Sequence, residues 1–122
     1  MQDNNSKKSI LLVEDNELVV KVVGLRLQDN GYSVDVAMSG SEAICKIEGG
    51  KLYDAILLDI GLPDMSGFEV AKHIRHNSKQ PTATIIVVSA TNHDQDEMQG
   101  VKIDAHMTKP LNIEELEKFI TG

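Results

Sequence analysis

Tryptophan is absent, cysteine occurs once, and four aromatic residues, Tyr32, Tyr53, Phe68 and Phe119, are spread over 122 residues. So few flat side chains leave little on which to stack bases or a flavin ring. The single Cys45 cannot close an internal disulfide and has no Cys-x-x-Cys neighbour. Lys and Arg number 12 against 19 Asp and Glu, a formal charge of −7. The clustered positive field that direct nucleic-acid binding requires is therefore missing. Long hydrophobic runs are missing too: Ile10–Val13, Ala55–Leu58 and Ile85–Val88 are four residues each, where a membrane span needs about 20. The first eight residues, MQDNNSKK, lack the apolar stretch of a secretory signal. The chain is expected to be cytoplasmic, with a cation or a protein as its partner.

What is present is an ordinary globular composition, 41% hydrophobic and 25% charged, at a length that suits one domain. Residues 8–122 are assigned to that domain and residues 1–7 to a polar tail. Five β-type runs stand out, Ser9–Val13, Ser33–Ala37, Ala55–Asp59, Thr84–Ser89 and Ala105–Thr108, separated by segments of helical character. Three of them, containing ILLV, AILL and IIVV, are continuously apolar rather than alternating. Strands buried on both faces of a parallel sheet read this way, so helices are expected on both sides. Ser39 with Glu42, Ser66 with Glu69, and Asn112 with Glu115 offer a capping side chain followed three residues later by a carboxylate, and mark the second, third and fifth helices. Gly31, Gly49 with Gly50, and Gly100 are placed where helices end. A short polar fourth helix is expected around Asp94 to Gly100.

In an open parallel sheet, ligands gather beyond the carboxyl ends of the strands. Those ends carry Glu14 and Asp15, Asp59, Ser89 and Lys109. Two carboxylates about 5 Å apart at an effective dielectric near 20 repel by roughly 3 kcal/mol, so such a cluster calls for a cation. An all-oxygen ligand set that leaves room for water and substrate suits magnesium, Mg²⁺. Lys109 adds a fixed positive charge and Ser89 a neutral donor. Together these are the parts for holding a phosphoryl group while Asp59 attacks it as a carboxylate nucleophile. Taken singly, Asp59 reads equally well as a turn aspartate and the others as a solvated strand end; the joint placement carries the argument.

Four segments, VEDN at 13–16, LLDIGLPDMSG at 57–67, VVSAT at 87–91 and TKP at 108–110, resemble the motifs of receiver domains of two-component response regulators. The resemblance runs from about Lys8 to Ile120. It implies a flavodoxin-like (βα)5 doubly wound parallel sheet with strand order 2-1-3-4-5. It implies Glu14 and Asp15 as the metal-binding acidic pair, Asp59 as phospho-acceptor, Ser89 as switch hydroxyl, Lys109 as the phosphate-binding lysine and Pro110 as the proline after a cis peptide bond. The implied partner is a sensor histidine kinase or a histidine phosphotransfer protein. The expected product is a monomeric or weakly dimeric signalling switch, a single-domain regulator or the receiver of a hybrid sensor kinase, with self-catalysed transfer and hydrolysis.

Two positions depart from the family pattern. His106 stands where an inward-turning Tyr or Phe is usual, replacing the usual aromatic readout by an imidazole that can donate or accept a hydrogen bond. Gly61 stands where a larger side chain often covers the phosphoryl group, so freer water access and a short phosphoryl lifetime are expected. A haloacid dehalogenase-like phosphatase would need an aspartate at that same position. A flavin-binding carrier would need a phosphate-cradling loop where Glu14 and Asp15 repel phosphate.

The remaining candidates read more plainly. His73 and His76 lack a third metal ligand, Cys45 is expected to be buried and inert, and Met98 and Met107 are packing or interface residues. The first helix carries two apolar stripes, Val19, Val20, Val23 and Leu27 on one side and Leu18, Val22 and Leu25 on the other. One sheet-facing side does not require both, so Leu18 and Leu25 are candidates for a partner-docking face.

Overall fold

Uninterrupted aliphatic strands need cover on both faces, and the two-sided cover is what the computed structural model contains. It describes residues 8–80, 82–90, 101–109 and 111–121. Strands β1 (Ser9–Val13), β2 (Ser33–Ala37), β3 (Ala55–Asp59), β4 (Thr84–Ser89) and β5 (Ala105–Thr108) form one sheet, all paired in parallel, in the order β2-β1-β3-β4-β5. Helices α1 (Glu17–Asp29), α2 (Gly40–Glu48), α3 (Gly67–Asn77) and α4 (Ile113–Thr121) connect and flank it. Strand positions and order agree with the sequence reading. The helix expected around residues 94–100, together with Thr91, Met98 and Pro110, lies outside the described residues.

Alternation along each strand divides the core. Leu11, Val13, Ile56, Leu58, Ile85 and Val87 face Ala43 and Ile47 of α2 and Phe68, Ala71 and Ile74 of α3. Ile10, Leu12, Leu57, Ile86 and Met107 face Val23 and Leu27 of α1 and Ile113 and Leu116 of α4. Full burial of one such aliphatic side chain contributes about 1.5–3 kcal/mol, and both layers draw on it. Among the described residues, no helix is long and apolar enough to cross a membrane.

The expected caps form. Ser39 Oγ accepts from the Glu42 amide at 3.1 Å, and Asn112 Oδ1 accepts from the Glu115 amide at 3.1 Å. Ser66 and Glu69 complete a reciprocal capping box. At the other ends, Gly31 and Gly50 take φ of +94° and +95°, a region that costs other residues strain. Gly49 does not: its φ of −71° keeps it right-handed, so the turn falls one residue later than the glycine pair suggested. Cys45 is also corrected. It is exposed, because α2 turns Gly40, Ala43 and Ile47 inward and residue 45 points away from that stripe.

Two long-range ties hold the helices to the sheet ends. At the amino end, the Arg75 guanidinium donates to Ala83 O at 2.6 Å and Lys102 O at 2.8 Å, and its Nη2 meets Asp104 Oδ2 at 2.8 Å. At the carboxyl end, Asp64, in the loop after β3, accepts from the Gly40 amide at 2.8 Å, the Ser41 amide at 2.9 Å and Ser41 Oγ at 2.7 Å. The loop following Asp59 is thereby fastened to the amino terminus of α2.

These bonds hold the Asp64 carboxyl down from its ordinary 3.8 to about 2, through the Ser41 hydroxyl first and then the Gly40 and Ser41 amides. A folded-state value below the unfolded one stabilises the protein when the pH is above the unfolded value, and that contribution disappears as the pH falls through about 2. We expect Asp64→Asn to lower the urea midpoint near neutral pH, with the gap to the parent narrowing below about pH 4. A gap of constant size down to about pH 2.5 would refute the carboxylate as its source.

Candidate functional site

The adjacency of β1, β3 and β4 brings their carboxyl ends into one cavity, lined among others by Glu14, Asp15, Asp59, Gly61, Ser89 and Lys109. Backbone bonds fix the approach of each: the Glu14 amide donates to Ala37 O at 3.0 Å, Ile60 to Val88 O at 3.2 Å, and Lys109 to Ser89 O at 2.8 Å. Glu14, Asp59 and Ser89 are buried, whereas Asp15 is exposed. Each of the three carboxyl groups offers an oxygen within 4.8 Å of the others, and this is the only such cluster of acidic, His or Cys ligands among the described residues.

Charge inside the cavity is unbalanced. Lys109 Nζ lies 3.2 Å from Asp59 Oδ1 and 3.5 Å from Glu14 Oε1. Burial pushes the Glu14 carboxyl up, the neighbouring Asp59 pushes the same way, and the Asn16 amide and Lys109 only partly offset them. Burial would pull the Lys109 ammonium down, but Asp59 and Glu14 outweigh it and its pKa is raised. One ammonium thus serves more carboxylates than it can neutralise. The donor set is entirely oxygen, two of its members are withdrawn from water, and space adjoins them; this fits a hard divalent cation such as Mg²⁺.

Of the sequence-assigned site residues, Glu14, Asp15, Asp59, Gly61, Ser89 and Lys109 meet in this cavity; His106, Leu18 and Leu25 do not line it, and Pro110 lies outside the described residues. His106 adds a contact that sequence spacing did not reveal: its Nε2 is 2.8 Å from Ser89 Oγ. Asn16 was missed as well. It caps α1, its Oδ1 accepting from Leu18 and Val19, while its amide donates to Glu14 Oε2 at 3.1 Å. An Asn directly before an apolar helical stripe was the available signal. His73 and His76 are not drawn together on a metal, since His73 Nε2 pairs with Glu48 Oε2 at 2.6 Å.

Beside the polar cavity, a second, apolar groove is lined by Leu18, Val19, Val22, Leu57, Val88 and Leu111, with Asp59 and Lys109 at its border. Leu18 is 69% exposed, and Val22 and Leu25 about half. The outer stripe of α1 is thus uncovered; Leu25 continues it beyond the groove.

A family description of the response regulator receiver domain matches residues 10–121. The hybrid signal transduction histidine kinase L of Dictyostelium discoideum is 35% identical over 118 residues, 91% of this chain and 7% of that protein. The uncharacterized transcriptional regulatory protein YkoG of Bacillus subtilis is 39% identical over 113 residues, 90% of this chain and 48% of its own length. The chain thus spans about half of such a regulator and a small part of the kinase. Among solved structures, the response regulator TrrA of Thermotoga maritima, in complex with Mg²⁺-BeF, is 36% identical with a TM-score of 0.81, covering 91% of this chain and 94% of that one.

The backbone of the central aspartate is pressed by α3. A Cβ on Gly67 would stand 2.4 Å from the Asp59 carbonyl oxygen and 3.1 Å from Ile60 Cα, whereas one on Gly24, within α1, would meet nothing within 4 Å. We expect Gly67→Ala to destabilise the fold by about 1–3 kcal/mol, the usual cost of overpacking, and to shift the Asp59 and Ile60 amide resonances. Gly24→Ala should be neutral or gain up to about 1 kcal/mol from helix propensity. Equal urea midpoints for the two variants would contradict this.

Proposed function

The chain belongs to the response regulator receiver domain family, and from that premise we propose that Asp59 accepts a phosphoryl group from a phosphohistidine partner, with Glu14 and Asp15 completing a Mg²⁺ site. Receiver domains are signalling domains of two-component systems. The comparisons lend no support to a dehalogenase-like phosphatase or a flavin carrier. The observation that carries the assignment is a buried carboxylate, Asp59, facing an open cavity with a lysine at 3.2 Å and two further carboxyl groups beside it.

In the proposed transfer, an Asp59 oxygen attacks phosphorus. The P–O bond forms as the P–N bond of the donor breaks, and the bonding pair returns to the imidazole. Lys109, already paired with Asp59, is placed to hold a phosphoryl oxygen, and Ser89 to donate its hydroxyl proton to another. Glu14, Asp15 and Asp59 would hold Mg²⁺, which when bound would supply the positive charge that lets an anionic group approach three carboxylates. Every one of these residues comes from one chain, so a monomer or a weak dimer suffices. We place the domain at residues 8–122, with the polar residues 1–7 before it. The exposed Leu18, Val22 and Leu25 stripe beside the cavity is the docking face for the donor, a sensor histidine kinase or a histidine phosphotransfer protein.

Incubation with acetyl phosphate and Mg²⁺ should add one phosphoryl group, read by intact mass, and Asp59→Asn should abolish it because an amide is a poor nucleophile. A stable modification elsewhere, with Asp59→Asn reacting normally, would overturn the assignment.

Phosphoryl lifetime gives a second test. Hydrolysis needs water in line with the phosphorus, opposite the leaving carboxylate. Gly61 leaves that side open, and a Cβ built on it meets nothing within 4 Å. We expect Gly61→Met to lengthen the half-life severalfold at fixed Mg²⁺ and temperature; an equal or shorter half-life would show that water entry there does not limit hydrolysis.

A further inference from the structure

Ser89 and His106 form a pair for which phosphoryl acceptance alone gives no reason. Ser89 ends β4 and is buried, and His106 stands on β5, where the register sets Val87 against His106 and Ser89 against Thr108. The two side chains meet on the diagonal, Oγ to Nε2 at 2.8 Å. A contact of that length is a hydrogen bond with one proton in it, supplied by the serine or by the ring. A serine hydroxyl has a single proton to donate, whereas an imidazole nitrogen can be donor or acceptor.

A phosphoryl group on Asp59 removes that choice. Its oxygens only accept, so Ser89 can serve one of them only by turning its proton toward it. The bond between Oγ and Nε2 then survives only if Nε2 carries the proton. We infer that His106 is a positioning residue for the phosphorylated state: its Nε2–H donates to Ser89 Oγ and directs the serine's proton onto the phosphoryl oxygen. This rests on the proposed role of Asp59 and Ser89. With Nε2 unprotonated, a bond between Oγ and the ring uses the serine's own proton, which then cannot also serve the phosphoryl oxygen. The two events are linked reciprocally: the proton on Nε2 favours the phosphoryl group, and the phosphoryl group favours the proton on Nε2 by the same factor. The donor form is reached by moving the ring proton from Nδ1 to Nε2 or by adding one, with no change in the covalent chemistry at Asp59.

Long-range ¹H–¹⁵N spectra of the full chain labelled at histidine nitrogen, recorded at one pH with and without Mg²⁺ and beryllofluoride, test this directly. A protonated Nε2 on His106 in the beryllofluoride complex is the expected result. A complex that forms, seen by shifts at the Asp59 and Lys109 amides, with Nε2 unprotonated overturns this inference alone. No response to beryllofluoride overturns the acceptor reading and this inference with it. Kinetics supply the second arm. His106→Leu, which removes the donor, should slow phosphorylation by acetyl phosphate about fivefold, the size of one neutral hydrogen bond. His106→Gln, whose amide nitrogen can occupy the same place as a donor, should stay within about twofold. In a Ser89→Ala background the Leu effect should vanish. Equal slowing by Leu and Gln, or a full Leu effect without Ser89, would show that ring shape and not the donated proton matters.

Discussion

Two carboxyl groups, Glu14 and Asp59, are held out of water at the carboxyl end of the sheet, and the one partly exposed ammonium between them cannot satisfy both. Taking a charge from water costs several kcal/mol even after relaxation, and Coulomb attraction offsets this only when the pairing is complete. Here Lys109 divides itself between Asp59 and Glu14, and the Glu14 carboxyl is pushed up as a result of its burial beside Asp59. The arrangement is a local minimum only because the sheet imposes it: β1 and β3 are neighbours, so Glu14 follows one strand end directly beside Asp59 at the other. A hard cation would relieve the excess negative charge, and the all-oxygen cluster fits one.

Such a site needs a scaffold that does not relax around it. The loop after Asp59 could otherwise swing outward and let the carboxylate hydrate. It is held by Asp64 on the start of α2 and by the close seat of Gly67 against the Asp59 backbone. At the opposite end of the sheet, Arg75 ties α3 to the segments entering β4 and β5. Stability is therefore drawn from the two aliphatic layers and from ties at both ends of the sheet, and the Asp64 tie offsets part of what the uncompensated charge at the carboxyl end costs.

The parts of this arrangement visible in the sequence are those with a local signature. ILLV, AILL and IIVV announce doubly covered strands, and Ser39, Ser66 and Asn112 announce helix starts, because a capping side chain acts within three residues of itself. Asp59, Asp15 and Lys109 were legible as strand-end residues once the parallel order was inferred. Asp64, Arg75 and the Ser89–His106 bond were not, since their partners lie 8 to 29 residues away in sequence and no spacing rule connects them. Cys45 misled for a related reason. Its apolar neighbours Ala43, Ile44 and Ile47 suggested burial, yet the inward face of a nine-residue helix is narrow and position 45 falls outside it.

The polar cavity and the apolar groove divide two tasks that one surface could not perform. On the proposed reading, a pocket of carboxylates, lysine and serine recognises a phosphoryl group by charge and hydrogen bonding, and carries no information about which protein presents it. Leu18, Val22 and Leu25 can carry that information by shape, because an exposed aliphatic stripe gains only where a complementary surface excludes water from it. Full burial contributes about 1.5–3 kcal/mol per side chain, and these three are already partly covered, so together they contribute less than about 5–9 kcal/mol. Association itself costs about 4–15 kcal/mol in lost freedom of motion. A stripe of this size therefore favours a brief encounter over a lasting complex, which on the proposed reading lets a donor arrive, transfer its phosphoryl group across the groove's polar border, and leave.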